Sequence, residues 1–153
     1  MSDDYDSPWK EILEYFLPHF MAFFFPVAYA DIDWGMGFVP LDKELQQVVR
    51  DATTGRRYVD KLMKVQRRGG RERVDSGEIL VFAHIEIQGD DDVVFAERMY
   101  LYNYRIYDRC RCPVASLAVL TDGNSKWRPD RFSQGIWGSC SQSSGFESYH
   151  ICR

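Results

Sequence analysis

The stretch that most constrains the fold is residues 79–88, ILVFAHIEIQ, which begins as an apolar run and ends with polar residues on one side. An apolar run of this length is typical of a strand that is buried on both faces. Side chains alternate across a strand, so Glu86 and Gln88 point the same way and lie about 7 Å apart. His84 shares their face, and a lone histidine near a strand end is more often a hydrogen-bonded structural residue. Because an unpaired carboxylate is costly to bury, the pattern predicts that Glu86 has a partner or a bound cation.

The elements around this strand alternate between helical and strand periodicity. Gly69 and Gly70 predict a hairpin connection between strands at 57–66 and 78–88. Prolines that favour helix starts, and apolar residues at helical spacing, predict the helices. The other predicted elements are helices opening at Ser7, running from Pro18 to Phe25, opening at Pro26, and spanning 41–52 and 93–109, and a strand at 114–123. This order predicts a compact α/β layer structure.

Length and charge limit the possible functions. The chain has 153 residues, which suits one domain with a substantial core. Its formal net charge of −4 gives no general attraction to nucleic acid or acidic membranes, so such binding needs a local basic patch. The apolar segment FLPHFMAFFFPVAYAD looks like an export signal, but acidic residues precede it and two prolines interrupt it. We therefore expect it to be core, and the protein to be cytoplasmic with no membrane partner.

The cysteines and the C-terminal end carry little functional signal. Cys110 and Cys112 form a C-x-C, and Cys140 and Cys152 are distant, so the paired knuckles of a zinc site are absent from the sequence. Reduced thiols are the expected state. The serine-rich end shows neither helical nor strand periodicity, and we expect residues 138–153 to form a poorly ordered tail.

A second acid, Asp60, lies in the strand before the hairpin. If the two strands pair in the right register, Asp60 and Glu86 come close together, and a cation between them would offset their repulsion. Magnesium suits this arrangement because it binds one or two carboxylates, waters and phosphate oxygens, and can activate a water. Both acids also have a simpler explanation. The candidate ion-pair partners are Arg56, Arg57 or Lys61 for Asp60, and Arg98 for Glu86.

The arrangement of Asp followed by Glu-x-Gln on adjacent strands resembles the PD-(D/E)XK nuclease superfamily. More closely, the chain resembles the recombination-promoting nuclease / putative transposase family. The blocks that carry this resemblance are, in order, DSPWKE, LDKELQQ, RRYVDKL, HIEIQG, FAERMYLYNYRIYDR and SLAVLTD. It runs from about Asp6 to Trp137, and implies that residues 1–137 form a restriction-endonuclease-like α/β core with a mixed central sheet flanked by helices. The implied activity is metal-dependent DNA endonuclease activity, hydrolysing phosphodiester bonds in recombination.

The resemblance also implies roles for particular residues. Asp60 and Glu86 would bind magnesium, with manganese as an alternative, and Glu44 would assist beside the metal. Gln88 stands where the superfamily pattern has lysine. Glutamine carries no charge and cannot act as a base, so it would orient water or phosphate through hydrogen bonds. Lysines that could reach in from the neighbouring strand instead are Lys61 and Lys64.

DNA binding also requires positive charge. The hairpin connection carries a basic patch that could neutralise phosphates, although charged hairpin tips are more often simply solvated. The residues of this patch are Lys64, Arg67, Arg68, Arg71 and Arg73, and the four arginines are the candidate DNA contacts. On the long helix, Arg98, Arg105 and Arg109 could face either DNA or the acidic residues 90–92.

Two other functions fit the sequence. The chain could be a truncated, non-catalytic relative, because the resemblance stops near Trp137. It could also be an α/β module that binds nucleic acid or protein, holds its acids in ion pairs and does not respond to magnesium. The tyrosine face of helix 93–109, formed by Tyr100, Tyr104 and Tyr107, would then be its contact surface or the seam of a homodimer.

Overall fold

The computed structural model describes residues 6–50, 59–68, 80–127, 129, 132, 134–136, 139–141 and 149–152. Its helices are α1 (Asp6–Tyr15), α2 (Leu17–Phe24), α3 (Pro26–Asp31), α4 (Asp42–Arg50) and α5 (Phe95–Cys110), with a 3-10 turn at Trp34–Met36. Its strands are β1 (Phe38–Pro40), β2 (Val59–Gln66), β3 (Leu80–Gln88), β4 (Val114–Leu120), β5 (Gln134–Ile136), β6 (Ser139–Ser141) and β7 (Tyr149–Cys152). The predicted helices and strands are present wherever the structure describes them.

The main sheet is mixed, as the α/β prediction expects. Its first four strands lie in the order β1-β2-β3-β4, and β7 adds to the outer edge of β4. β2 pairs antiparallel with both β1 and β3. β4 pairs parallel with β3, and the crossover helix α5 connects these two strands. The register of the β2–β3 pair sets Asp60 directly opposite Glu86.

One face of the sheet is covered by the three N-terminal helices. α2 and α3 each have a proline in the first turn, where the missing N–H has no intrahelical partner to lose. These helices contribute Leu17, Phe20 and Met21 to a core that contains Ile85 and Ile87 of β3. The layer between helices and sheet is apolar on this side.

The opposite face is covered by α4 and α5. Leu45 of α4 and Tyr102 of α5 pack against Leu62 and Phe82 in a second cluster, and Met99 of α5 packs in a third with residues of β4. Because side chains alternate along β3, its even-numbered residues face these two helices. The polar end of β3 therefore lies under α5.

The expectation of a poorly ordered tail over residues 138–153 stays a prediction, and the structure describes two short segments of this end as strands. Ser139–Ser141 pairs with Gln134–Ile136 as a two-stranded ribbon, and Tyr149–Cys152 pairs in parallel with β4. The pairing of Tyr149–Cys152 with β4 joins segments far apart in the chain, which composition does not reveal. Residues 142–148 lie outside the described residues. Within the described part of the chain, no helix has the length and apolar character needed to cross a membrane.

Candidate functional site

The polar end of β3 is centred on Glu86, which is only 1% exposed. Its Oε1 atom accepts two hydrogen bonds from Arg98 of α5, from Nε at 3.1 Å and from Nη2 at 2.5 Å. The simpler of the two predictions for this residue, an ion pair with Arg98, is confirmed. Two donors converge on one oxygen of the carboxylate, so the pair does not use both oxygens.

Arg98 is itself buried, at 7% exposed, and forms hydrogen bonds with several groups. Its Nη2 atom also donates to Oε1 of Gln88 at 3.0 Å, and its Nη1 atom donates to Asp92 in a second ion pair. Its guanidinium carbon lies 5.3 Å from the centre of the Phe95 ring. One positive charge is thus shared by two carboxylates, and the cluster of Glu86, Asp92 and Arg98 carries a net charge of about −1 when both acids are ionised.

The second carboxylate oxygen of Glu86 is buried and accepts no hydrogen bond from any residue that the structure describes. The position opposite it on β2 is Asp60. Directly opposed residues of an antiparallel pair lie on the same face, with Cβ atoms about 4.5–5.5 Å apart. The register that the two-carboxylate interpretation required is therefore present in the backbone.

The environment of Glu86 favours its neutral form more than water does. Burial raises the pKa of this carboxyl and the Asp92 charge raises it further, while Arg98 lowers it through its charge and its hydrogen bonds. Carboxyls whose pKa is perturbed by burial and a charged partner occur preferentially at functional sites, although structural ion pairs produce the same signal.

His84 precedes Glu86 on the same face and is completely buried. Its ring meets the Tyr102 ring edge-on, with the centroids 5.6 Å apart, and neither ring nitrogen has a hydrogen-bond partner among the described residues. The sequence favoured a hydrogen-bonded structural histidine, and the hydrogen bonds of that interpretation are missing. Burial lowers the pKa of His84 to about 4, helped by the Arg98 charge, so the imidazole is neutral near pH 7.

Gln88 ties the end of β3 to the loop before α5. Its side-chain Nε2 donates to the Asp90 carbonyl at 2.7 Å, while its Oε1 accepts from Arg98. Its backbone carbonyl accepts from the N–H of Thr121 at 2.8 Å. Both ends of the amide are therefore engaged, which leaves Gln88 little capacity to orient a water molecule as the sequence predicted.

The other predicted site residues lie away from this cluster. The ammonium group of Lys61 pairs with Asp42 at 2.9 Å, and Lys64 is opposite Phe82 in the register. Burial chiefly raises the pKa of the Cys110 thiol, and the nearby Glu44 charge adds to this effect. Cys110 lies at the other end of α5 from Arg98, about 18 Å away along the helix axis. Because the Glu44 charge acts on Cys110, Glu44 lies near that end of α5 and not near Arg98.

The two described arginines of the basic patch are engaged with α3. Arg67 forms a two-bond ion pair with Asp31, whose hydrogen bond raises the arginine's pKa, and Arg68 donates to the Ile32 carbonyl at 2.9 Å. They anchor the end of β2 to the N-terminal helices. The other two predicted DNA contacts, Arg71 and Arg73, lie outside the described residues, as do the partners Arg56 and Arg57 proposed for Asp60.

One buried polar pair between α5 and β4 was not predicted from the sequence. Asn103 of α5 donates to the Ser116 hydroxyl and to the Val114 carbonyl, each at 3.1 Å. Asn103 follows the buried Tyr102 on the stripe that the 3.6-residue period already marked as facing the sheet. A polar residue on such a stripe needs a partner, and this was the available signal.

Comparisons with known proteins return no match to any family model, curated protein or solved structure. Among the residues that the structure describes, no three or more His, Cys, Asp or Glu side chains form a group that could hold a metal ion. A magnesium site of the predicted kind has only two protein carboxylates.

Proposed function

We propose that this chain is a metal-dependent DNA endonuclease that hydrolyses phosphodiester bonds, with Glu86 and Asp60 as its magnesium or manganese ligands. One observation supports this most: Glu86 is buried with one oxygen held by Arg98 and the other without a described partner, at the register position opposite Asp60. Such an oxygen is costly to bury unless something binds it.

The charges of the cluster are compatible with a divalent cation. Arg98 would repel a metal ion, but Asp92 shares its charge, and Asp60 would add a second negative charge to the Glu86 side. Magnesium typically takes one or two carboxylates and fills its remaining positions with water and phosphate oxygens. When bound, it would supply an activated water and stabilise negative charge on the phosphate.

The chain's own residues would hold this site rather than perform the proton transfers. Arg98 cannot act as a base, since a guanidinium does not lose its proton in proteins. Gln88 is uncharged, and its amide is already bonded to Arg98 and Asp90. His84 is neutral near pH 7 and lies on the same face of β3, so it adds no charge that would oppose a cation.

The restriction-endonuclease-like core belongs to this proposal. A hairpin that carries the two acids, followed by a helical crossover to a parallel strand, is compatible with the fold that the sequence resemblance implies. The choice of DNA as substrate rests on that resemblance, because Arg67 and Arg68 are engaged with Asp31 and Ile32.

The test is cleavage of supercoiled plasmid by the purified protein with magnesium or with EDTA, beside Glu86→Gln and Asp60→Asn. Asp108→Asn is the matched control, because Asp108 is an exposed acid on α5 that pairs with Arg111. We expect nicking that requires magnesium, is lost in both site variants and survives in the control. No cleavage by folded wild-type protein, or cleavage unaffected by either site variant, would contradict the proposal.

A second function is favoured by the ion pairs themselves. Arg98 pairs with both Glu86 and Asp92, and an ion-pair role for these acids suits an α/β binding module or a non-catalytic relative. Tyr104 and Tyr107 of α5 are about half exposed and would supply its contact surface or a homodimer seam. Isothermal titration separates the two functions, because the binding module predicts no magnesium or manganese binding to the folded protein.

A further inference from the structure

Two cysteines lie on either side of a single residue where α5 ends and β4 begins. Cys110 is the last residue of α5, Arg111 caps the helix, and Cys112 precedes the start of β4 by two residues. Both thiols are free and partly exposed, and both side chains pack against the core cluster under α4 and α5. A reagent in solution can therefore reach them, while the core holds them in place.

The backbone between the two cysteines bends back on itself. Arg111 adopts the left-handed conformation, with φ 53° and ψ 28°, which is uncommon for a residue other than glycine. This conformation is close to the mirror image of the right-handed helical one, and mirror images have the same distances between atoms. Helical geometry separates Cα atoms two residues apart by about 5.4 Å, so Cys110 and Cys112 have about this separation. Disulfides join Cα atoms that lie about 4.4–6.8 Å apart.

Hydrogen bonds hold this turn from both sides. The N–H of Arg111 donates to the Tyr107 carbonyl at 2.7 Å, and the Pro113 carbonyl accepts from the N–H of Phe82 at 2.9 Å. The proline ring also restricts the backbone of Cys112, which precedes it. The two cysteines are thus held in the bent arrangement by the fold around them.

We propose that Cys110 and Cys112 form a thiol oxidation site, at which a small-molecule disulfide of the glutathione class is reduced and an intramolecular protein disulfide is formed. Holding two thiols side by side makes the second, ring-closing step effectively unimolecular. This inference does not depend on a metal at Glu86.

The order of the two attacks follows from the place of each thiol. Cys110 lies in the last turn of α5, where the partial negative charge of the helix end opposes a thiolate. Burial raises the pKa of its thiol and the neighbouring Cys112 raises it further, although the Arg109 charge lowers it. Because Cys112 lies beyond the end of the helix, it makes the first attack, and Cys110 makes the second.

The reaction is ordinary thiol–disulfide exchange. The Cys112 thiolate attacks one sulfur of the small disulfide, forms a mixed disulfide and releases one small thiolate. The Cys110 thiolate then attacks the Cys112 sulfur and releases the other. The protein loses two electrons and its two thiol protons, and the small disulfide gains them and becomes two thiols.

The test treats reduced, folded wild-type protein with oxidised glutathione, traps the remaining thiols with N-ethylmaleimide and maps the peptides by mass spectrometry. We expect Cys110 and Cys112 to escape alkylation as a disulfide that carries no glutathione, and dithiothreitol to restore both thiols. Folded Cys110→Ser should accumulate one glutathione on Cys112, because the second attack is lost, and Cys112→Ser should take up glutathione more slowly. Wild-type protein in which both cysteines are still alkylated, or in which each carries its own glutathione, overturns the proposal.

A matched pair of variants tests the turn. Arg111→Gly and Arg111→Val remove the same charge, but glycine adopts the left-handed conformation readily and the β-branched valine rarely does. We expect the disulfide to close at least as fast in Arg111→Gly as in wild-type protein, and more slowly in Arg111→Val. Equal rates in the two folded variants would overturn the part assigned to the turn. Metal binding and DNA cleavage enter none of these measurements, so the outcome is independent of the proposed function.

Discussion

The two faces of the central sheet are stabilised in different ways, although β3 contributes to both. Under α1–α3 it contributes Ile85 and Ile87 to an apolar layer. Under α4 and α5 it contributes His84, Glu86 and Gln88, all of them buried. The first layer depends on apolar area and shape, whereas the second depends on specific partners. The two faces should therefore respond differently to mutation and to pH.

The polar face of the sheet has features that the stability of the fold alone does not explain. Among the described residues, the apolar face has no buried side-chain polar atom without a hydrogen-bond partner, whereas the polar face buries a histidine and a carboxylate oxygen that have none. Buried ion pairs are often no more stabilising than apolar residues of the same size. A face that retains both an ion pair and unsatisfied atoms is more typical of a functional site than of a core.

The largest expected effect is the loss of the buried cation. Arg98→Met would leave Glu86 buried and unpaired, and breaking one partner of a buried pair costs about 3–5 kcal/mol. Urea denaturation at pH 7 would measure it, with exposed Arg109→Met as a control that should change stability by less than about 0.5 kcal/mol. Adding Glu86→Leu to Arg98→Met should recover most of the loss. A single variant as stable as wild type would show that the polar face does not depend on its partners.

The pH dependence of stability should also come from the polar face. The pKa of the His84 imidazole is about 4 in the folded protein and 6.5 in the unfolded chain. As the pH falls, the unfolded chain therefore takes up a proton first. The free energy of unfolding is fully retained above about pH 6.5 and falls as the pH drops towards 4, by roughly 3 kcal/mol in total. His84→Leu should remove this part of the slope, with His19→Leu, at an exposed position of α2, as the control. An unchanged slope in His84→Leu would rule out the histidine as its source.

The difference between the faces also shows what sequence reasoning can reach. The apolar face follows from period: the alternation in β3 and the helical spacing of α1 are local properties of the chain. The antiparallel pairing of β2 with β3 was predictable from the strand patterns on either side of Gly69 and Gly70, which themselves lie outside the described residues. The pairing of Tyr149–Cys152 with β4 was not, because a parallel ladder depends on a segment far away in the chain.

The polar face was only partly predictable for the same reason. A partner for Glu86 was required by physics, and Arg98 was one of two explanations, beside a cation. The choice depends on where α5 crosses β3, which is a tertiary property. That both donors would converge on one oxygen, and that Gln88 would be held by the same guanidinium, depends on rotamers that no local pattern determines.

A smaller effect is expected on the apolar face, and it should be independent of pH. Ile85→Val removes one methylene from a fully buried side chain, at a cost of about 0.5–1.5 kcal/mol. The change should be the same at pH 5 and pH 7 because no charge is involved. Val93→Ala, at a fully exposed position, is the control and should have almost no effect. A strong pH dependence in Ile85→Val would mean that the two faces are coupled through β3.

The smallest effect on stability is expected for the ion pair of Lys61 and Asp42, which is partly open to solvent. Lys61 is opposite Ile85 in the register, and its ammonium group pairs with Asp42 of α4, whose side chain is 47% exposed. A pair open to solvent on one side contributes about 0.2–1 kcal/mol, so Asp42→Asn should lower stability by no more than this, and by less at high salt. The more exposed pair of Asp108 and Arg111 gives the control, since Asp108→Asn should cost less still. If Asp42→Asn instead destabilises the protein as strongly as Arg98→Met, burial does not explain why the two ion pairs should differ in their contribution to stability. The contrast between the two faces then needs another explanation.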